Sequence, residues 1–173
     1  MKIRWNRLAW IPLLYCPLAA AQDQDIRVKL RGFEEVPAIS SAASGEFRAR
    51  LGSGTIAYQL SYTGLQGDVR QSHIHVGQKS ANGGVSVFLC QTASNPDPTG
   101  LAPTCPQSGE VHGLLTPANV VGPGGQGVSA GEFAELINAM REGVTYVNVH
   151  SSVFPGGEIR GQLRKGRDGQ DED

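Results

Sequence analysis

Tyr146-Val-Asn-Val-His-Ser-Ser-Val-Phe-Pro-Gly-Gly-Glu-Ile-Arg-Gly-Gln-Leu163 is the stretch whose reading decides the fold. It reads as two strands joined by a turn. Tyr146, Asn148 and His150 fall on one face, and Val147 and Val149 fall on the other. Pro155-Gly156-Gly157 supplies the fixed φ and the permissive backbone of a tight connection. Alternation then resumes, with Ile159 and Leu163 pointing inward and Glu158, Arg160 and Gln162 pointing outward. The period is two throughout, so this is a hairpin in a sheet with one apolar face.

The same alternation recurs upstream. Ile26, Val28 and Leu30 interleave with Arg27, Lys29 and Arg31, and Phe47, Ala49 and Leu51 with Glu46, Arg48 and Arg50. Gly52-Ser53-Gly54 makes a hairpin turn into Ile56, Tyr58, Leu60 and Tyr62. Val69 to Val76 carries His73 and His75, two imidazoles on one strand face. Val85 to Cys90 and Glu110 to Leu115, which includes His112, add two more short strands. A helix is predicted over Ser129 to Arg141. Ser129 and Glu132 have capping-box spacing, and Phe133, Leu136, Ile137 and Met140 form one apolar stripe. Gly143 sits where a left-handed C-terminal residue belongs. About eight short strands, abundant glycine and one helix predict an all-β antiparallel Greek-key β-sandwich in one domain.

The N-terminus carries the pattern of an export signal over residues 1–21. Lys2, Arg4 and Arg7 precede an apolar Leu8 to Leu18, followed by Ala19-Ala20-Ala21. The apolar core is too short for a stable membrane span, and Tyr15 before Cys16 is too bulky for a lipid-attachment motif. Cleavage removes three of fifteen basic residues and none of sixteen acidic ones, leaving a net charge of −4. With no basic stripe interleaved with aromatics, nucleic acid is excluded as a partner. The expected destination is periplasmic or secreted. The domain is expected over residues 22–164, with residues 165–173 as a disordered polar tail.

Cys90 and Cys105 then remain as an even pair bracketing a polar, proline-containing segment. Their spacing fits no zinc pattern, so they are expected to form a disulfide. Gly122-Pro-Gly-Gly-Gln-Gly127 matches a dinucleotide-binding pattern, but no βαβ unit surrounds it, and it reads as a loop. No Gly-x-Ser-x-Gly motif exists for nucleophilic catalysis, and Glu35, Glu46 and Asp68 show no recognisable partner spacing.

Leu30-x-Gly32-x-Glu34-Glu35-Val36-Pro37, His73-Ile-His75-x-Gly77, Tyr146-Val-Asn-Val-His150 and Gly157-Glu-Ile-Arg-Gly-Gln-Leu163 resemble the CHRD (chordin-type) domain family. The resemblance covers nearly all of the chain after the signal and implies an extracellular or periplasmic β-sandwich. A more distant similarity is to copper-zinc superoxide dismutase, with His73 and His75 matching paired copper ligands and His150 the last one. Arg160 loosely matches that family's anion-guiding arginine. The chain departs from the pattern at His112, which falls on a strand, and has no histidine–aspartate cluster for zinc.

Two residues apart on a strand, His73 and His75 point the same way and can chelate without rearranging the backbone. His150 from a neighbouring strand would complete a three-imidazole site for copper or zinc, with His112 the weaker candidate. The competing reading has these histidines hydrogen-bonded to Asn148, Glu158 or backbone carbonyls. Glu158 and Arg160 are read as structural, a cross-strand ion pair or a bidentate arginine tying strands together, against an anion-binding or catalytic pair. The functional expectation is an exported, non-enzymatic binding module for a transition metal or an extracellular ligand. The alternatives are a copper-dependent redox enzyme and a structural envelope or matrix protein.

Overall fold

The computed structural model describes residues 24–52 and 54–164. The expected export signal and polar tail lie outside the described residues. Eight strands follow in order: β1 (Gln24–Arg31), β2 (Ser44–Leu51), β3 (Ile56–Thr63), β4 (Val69–Val76), β5 (Gly84–Cys90), β6 (Gly109–Leu115), β7 (Thr145–Ser151) and β8 (Ile159–Leu163). One helix, α1 (Phe133–Arg141), precedes β7. The fold is all-β with a single helix.

All strands join one antiparallel sheet in the order β5-β4-β7-β8-β1-β2-β3-β6. β3 pairs with β6 and β4 with β7, so the chain passes between distant positions in the strand order three times, from β3 to β4, from β5 to β6 and from β6 to β7. Alternation gathers the apolar side chains on one face. Ile26, Leu30, Phe47, Leu60, Ile74, Val147, Val149, Ile159 and Leu163 all turn to one continuous core that the sheet rolls around, nearly as a barrel. The two ends of the strand order come close. Tyr58 on β3 donates its hydroxyl to the Leu89 carbonyl on β5 at 2.6 Å. Cys90, the last residue of β5, is disulfide-bonded to Cys105 on the way to β6, as the pairing predicts.

α1 is shorter than the spacing suggests. Gly131 adopts φ +82°, a left-handed conformation that interrupts any helix continuing from Ser129. Glu132 becomes the N-cap, and only half of the capping box forms, with the Ser129 N–H donating to Glu132 Oε2. Phe133, Leu136, Ile137 and Met140 are buried, so the apolar stripe packs onto the sheet core. The Gly122–Gly127 loop clips strands together. Gln126 accepts the Gly84 N–H and donates to the Val76 carbonyl.

Candidate functional site

The outer face of β4, β7 and β8 is buried as well as the inner one. In β7, Val147 and Val149 face the core, while Tyr146, Asn148 and His150 lie on the other face and are still shielded from water. Two loops cover them. One is the 77–83 turn between β4 and β5, and the other is the Pro155-containing turn between β7 and β8. Register explains the convergence: His73 pairs with Asn148, His75 with Tyr146 and Gln71 with His150. His73 and His150 are thus diagonal neighbours on adjacent strands. β4 also carries two irregularities against β5, between Ser72 and His73 and between Ile74 and His75.

His73, His75 and His150 are 2%, 8% and 6% exposed and each offers one ligand atom within 4.8 Å of the others, so the three could hold a metal ion. His73 Nδ1 lies 3.1 Å from His150 Nε2. Two more ring nitrogens are held by backbone carbonyls. His75 Nδ1 donates to Gly83 O at 2.9 Å, and His150 Nδ1 to Pro155 O at 3.0 Å. In a neutral ring this leaves Nε2 as a bare lone pair on both. The Nε2 atoms of His73 and His75 are buried without any hydrogen-bond partner. Phe88 packs edge-to-face on His73, and Tyr146 stacks parallel to His75 at 4.7 Å.

Burial keeps the cluster uncharged. Desolvation pushes His73 down to about 2, with His150 and His75 adding like-charge repulsion. Desolvation likewise takes His150 to about 4, against the opposing hydrogen bond to Pro155. His75 is lowered for the same first reason, partly offset by Gly83 and by the Asn148 side chain. Neutral imidazoles are the protonation state that metals bind.

His112 does not join them. It is exposed on β6, facing Glu110 Oε2 at 3.3 Å and pairing in register with Gln59. Of the two structural readings, the ion pair does not form: Glu158 and Arg160 do not pair with each other, and Arg160 instead spreads its guanidinium over several acceptors. Both are fully buried, and each finds separate partners. Glu158 accepts Ser41 Oγ–H and the Gln66 N–H, because its side chain turns to the 41–66 side of the turn that precedes β8. Arg160 donates to Ala81 O, Asn82 Oδ1 and Gln78 O, and its guanidinium lies 3.4 Å over the Tyr146 ring. Arg160 therefore holds down the same turn whose Gly83 carbonyl orients His75.

Glu35, which shows no partner spacing in the sequence, gains neighbours in the fold. It is buried beside Asn148 and Arg160, and Oε1 makes no hydrogen bond of good geometry. Burial raises its pKa to about 7, against the lowering effects of Arg160, the Val36 N–H and Asn148. The only sequence signal was its place in Glu34-Glu35-Val36-Pro37, which names no partner.

A family model for the CHRD domain matches residues 26–163. No curated protein matches the chain, and no solved structure does.

Proposed function

The chain belongs to the CHRD-domain family, and from that premise we propose that it is an exported binding module whose buried histidines hold one transition-metal ion, copper or zinc. One observation carries this reading: three neutral imidazoles from two strands converge to within 4.8 Å, two of them with an orphaned Nε2. A buried nitrogen lone pair without a partner costs about 1–3 kcal/mol. A cation bound at His75 Nε2 removes that cost there.

The chain's own groups divide the work. Gly83 O and Pro155 O fix the ring planes and tautomers of His75 and His150, the carbonyl orientation that metal-binding histidines commonly show. His73 turns Nδ1 toward His150, so the ion takes the place of the single proton those two rings can share. Three imidazole donors suit copper or zinc over magnesium or calcium, which prefer oxygen. The ion itself supplies Lewis acidity or, for copper, electron transfer. The disulfide between Cys90 and Cys105 supports export, since such bonds persist in oxidising compartments.

The test is a titration of the purified, untagged protein with copper and zinc, in wild type and His75→Ala. Stoichiometric binding in the wild type, lost in the variant, supports the metal module. No stoichiometric binding leaves a module for an extracellular polymer or protein. Superoxide turnover by the loaded protein would move the reading to the redox enzyme.

A further inference from the structure

Asn148 lies between the histidines and Glu35, fully shielded from solvent. In the β4–β7 ladder it is opposite His73, and in the β7–β8 ladder it is opposite Arg160. Its amide has a defined orientation. Nδ2 faces Glu35, because the point where a Gly157 side chain would begin touches both Glu35 Oε1 and, at 2.8 Å, Asn148 Nδ2. A carboxylate accepts hydrogen bonds, so the NH2 end belongs on that side. Oδ1 then points into the imidazole cluster, 3.0 Å from His150 Nε2.

That contact is unfavourable for the protein alone. His150 spends its one N–H on Pro155 O, so its Nε2 presents a lone pair to the lone pairs of Oδ1. His73 Nδ1 stands 3.1 Å from the same Nε2. The single N–H of His73 can bridge that second gap, but no proton is left for the Oδ1 contact, a spacing that two acceptors do not choose without a cation between them. Two donors bound to one ion at about 2.0–2.1 Å stand roughly 3–3.5 Å apart, which is the spacing seen here.

The geometry points to Asn148 Oδ1 as the fourth donor of the metal held by His73, His75 and His150, with Glu35 fixing which end of the amide faces the ion. This rests on the metal-module reading and sharpens it. The resulting set of three nitrogens and one oxygen is closed, with no position left for water or substrate. Closed sites hold metals, whereas catalytic ones keep a position open. The ligand set is neutral, and the Glu35 carboxylate lies behind it to balance the charge of the ion.

The experiment loads wild type, Asn148→Ala and Asn148→Asp with copper(II) alone. It measures affinity by chelator competition, the copper electron-spin-resonance spectrum and the number of exchangeable waters by proton relaxation. The wild type is expected to carry no exchangeable water. Asn148→Ala is expected to gain one and to bind at least tenfold more weakly. Asn148→Asp preserves size and a donor oxygen, which guards against failure to fold, and is expected to bind at least as tightly with a shifted spectrum. Wild type that binds copper with the same water count, affinity and spectrum as both variants overturns Asn148 as a ligand and leaves the three-histidine site standing. Wild type that binds no copper stoichiometrically overturns the site as a whole.

Discussion

His73 Nδ1 lies 3.1 Å from His150 Nε2 although the ladder pairs His73 with Asn148, so the contact is a diagonal one across β4 and β7. Both rings are buried and resist protonation. Removing either ring takes away one of three imidazole donors while leaving the core residues Ile74, Val147 and Val149 untouched. His73→Ala and His150→Ala should each lower copper or zinc affinity at least a hundredfold, about 2.7 kcal/mol or more by the affinity relation. Chelator competition measures this, with circular dichroism as the control for folding. A change of less than threefold in either variant would remove that histidine from the site.

The cluster also predicts how stability of the metal-free protein varies with pH. For His150 the folded value is about 4 against an ordinary value of 6.5. Between those values the unfolded chain binds the proton and the folded chain does not, so stability rises with pH. His73 and His75 are shifted in the same direction. Glu35 has the opposite sign in effect. Its folded value near 7 lies above the ordinary 4.5, so the folded state binds the extra proton and stability falls as pH rises through that window. His150→Gln should therefore flatten the acid limb below pH 6.5 by roughly 3 kcal/mol at pH 4, and Glu35→Gln the decline from 4.5 to 7 by a similar order. Denaturant unfolding at pH 4, 5.5 and 8 separates the two limbs. Identical pH profiles for both variants and wild type would mean these groups are not held as the fold implies.

Much of this was legible before any coordinates. Period-two alternation placed six of the eight strands, because successive side chains on a strand point to opposite faces, and turn residues bounded the strands of Val69–Val76 and Glu110–Leu115. His73, His75 and His150 were readable as a set because two sit on one strand face and the third ends a neighbouring strand. Burial of the outer face was not legible. Arg160 and Glu158 look like exposed partners by spacing, and only the 77–83 turn and the Ser41 and Gln66 contacts show where each goes. The role of Glu35 depends on a register between distant strands, which no local pattern encodes. Helix α1 starts late because one glycine at φ +82° outweighs the capping spacing.

Arg160 links the roof of the site to its floor. It anchors the 77–83 turn through Ala81 and Asn82 and packs over Tyr146, which in turn stacks on His75. Arg160→Ala releases the turn, strands carbonyls that it satisfied and removes the cation facing Glu35. The expected cost is about 2–4 kcal/mol of stability, the range for stripping one partner from a buried polar network. Metal affinity should fall about tenfold, because the Gly83 carbonyl no longer fixes His75. Arg160→Lys keeps the charge but not the fork, and should recover stability only partly. Metal affinity unchanged in Arg160→Ala would separate the turn from the site.

The disulfide should act on stability alone. Cys90 and Cys105 are separated by 15 residues and tie the end of β5 to the segment leading to β6, and neither is among the three imidazole donors. Cross-linking a loop of this size stabilises by about 3 kcal/mol in the chain-entropy model. A Cys90→Ala, Cys105→Ala double variant should lose roughly that amount in denaturant unfolding and keep wild-type metal affinity. Affinity falling in step with stability would show that the β5 edge and the site open together.

Gly157 gives the sharpest single test of the Glu35–Asn148 arrangement. Its φ of +129° is one that residues with side chains rarely adopt. A Cβ there would also run into Glu35 Oε1 and come within 2.8 Å of Asn148 Nδ2. Gly157→Ala therefore strains the backbone and pushes apart the two groups that fix the amide. A loss of about 2–4 kcal/mol is expected, since strain at a special backbone position and a clash at a buried polar contact act together. The informative comparison is with Gly156→Ala, where an added Cβ meets open space and the effect should be within about 0.5 kcal/mol. Copper affinity should drop in Gly157→Ala and stay unchanged in Gly156→Ala, read by the same chelator competition. Equal behaviour of the two variants would mean that the Glu35–Asn148 contact does not shape the site.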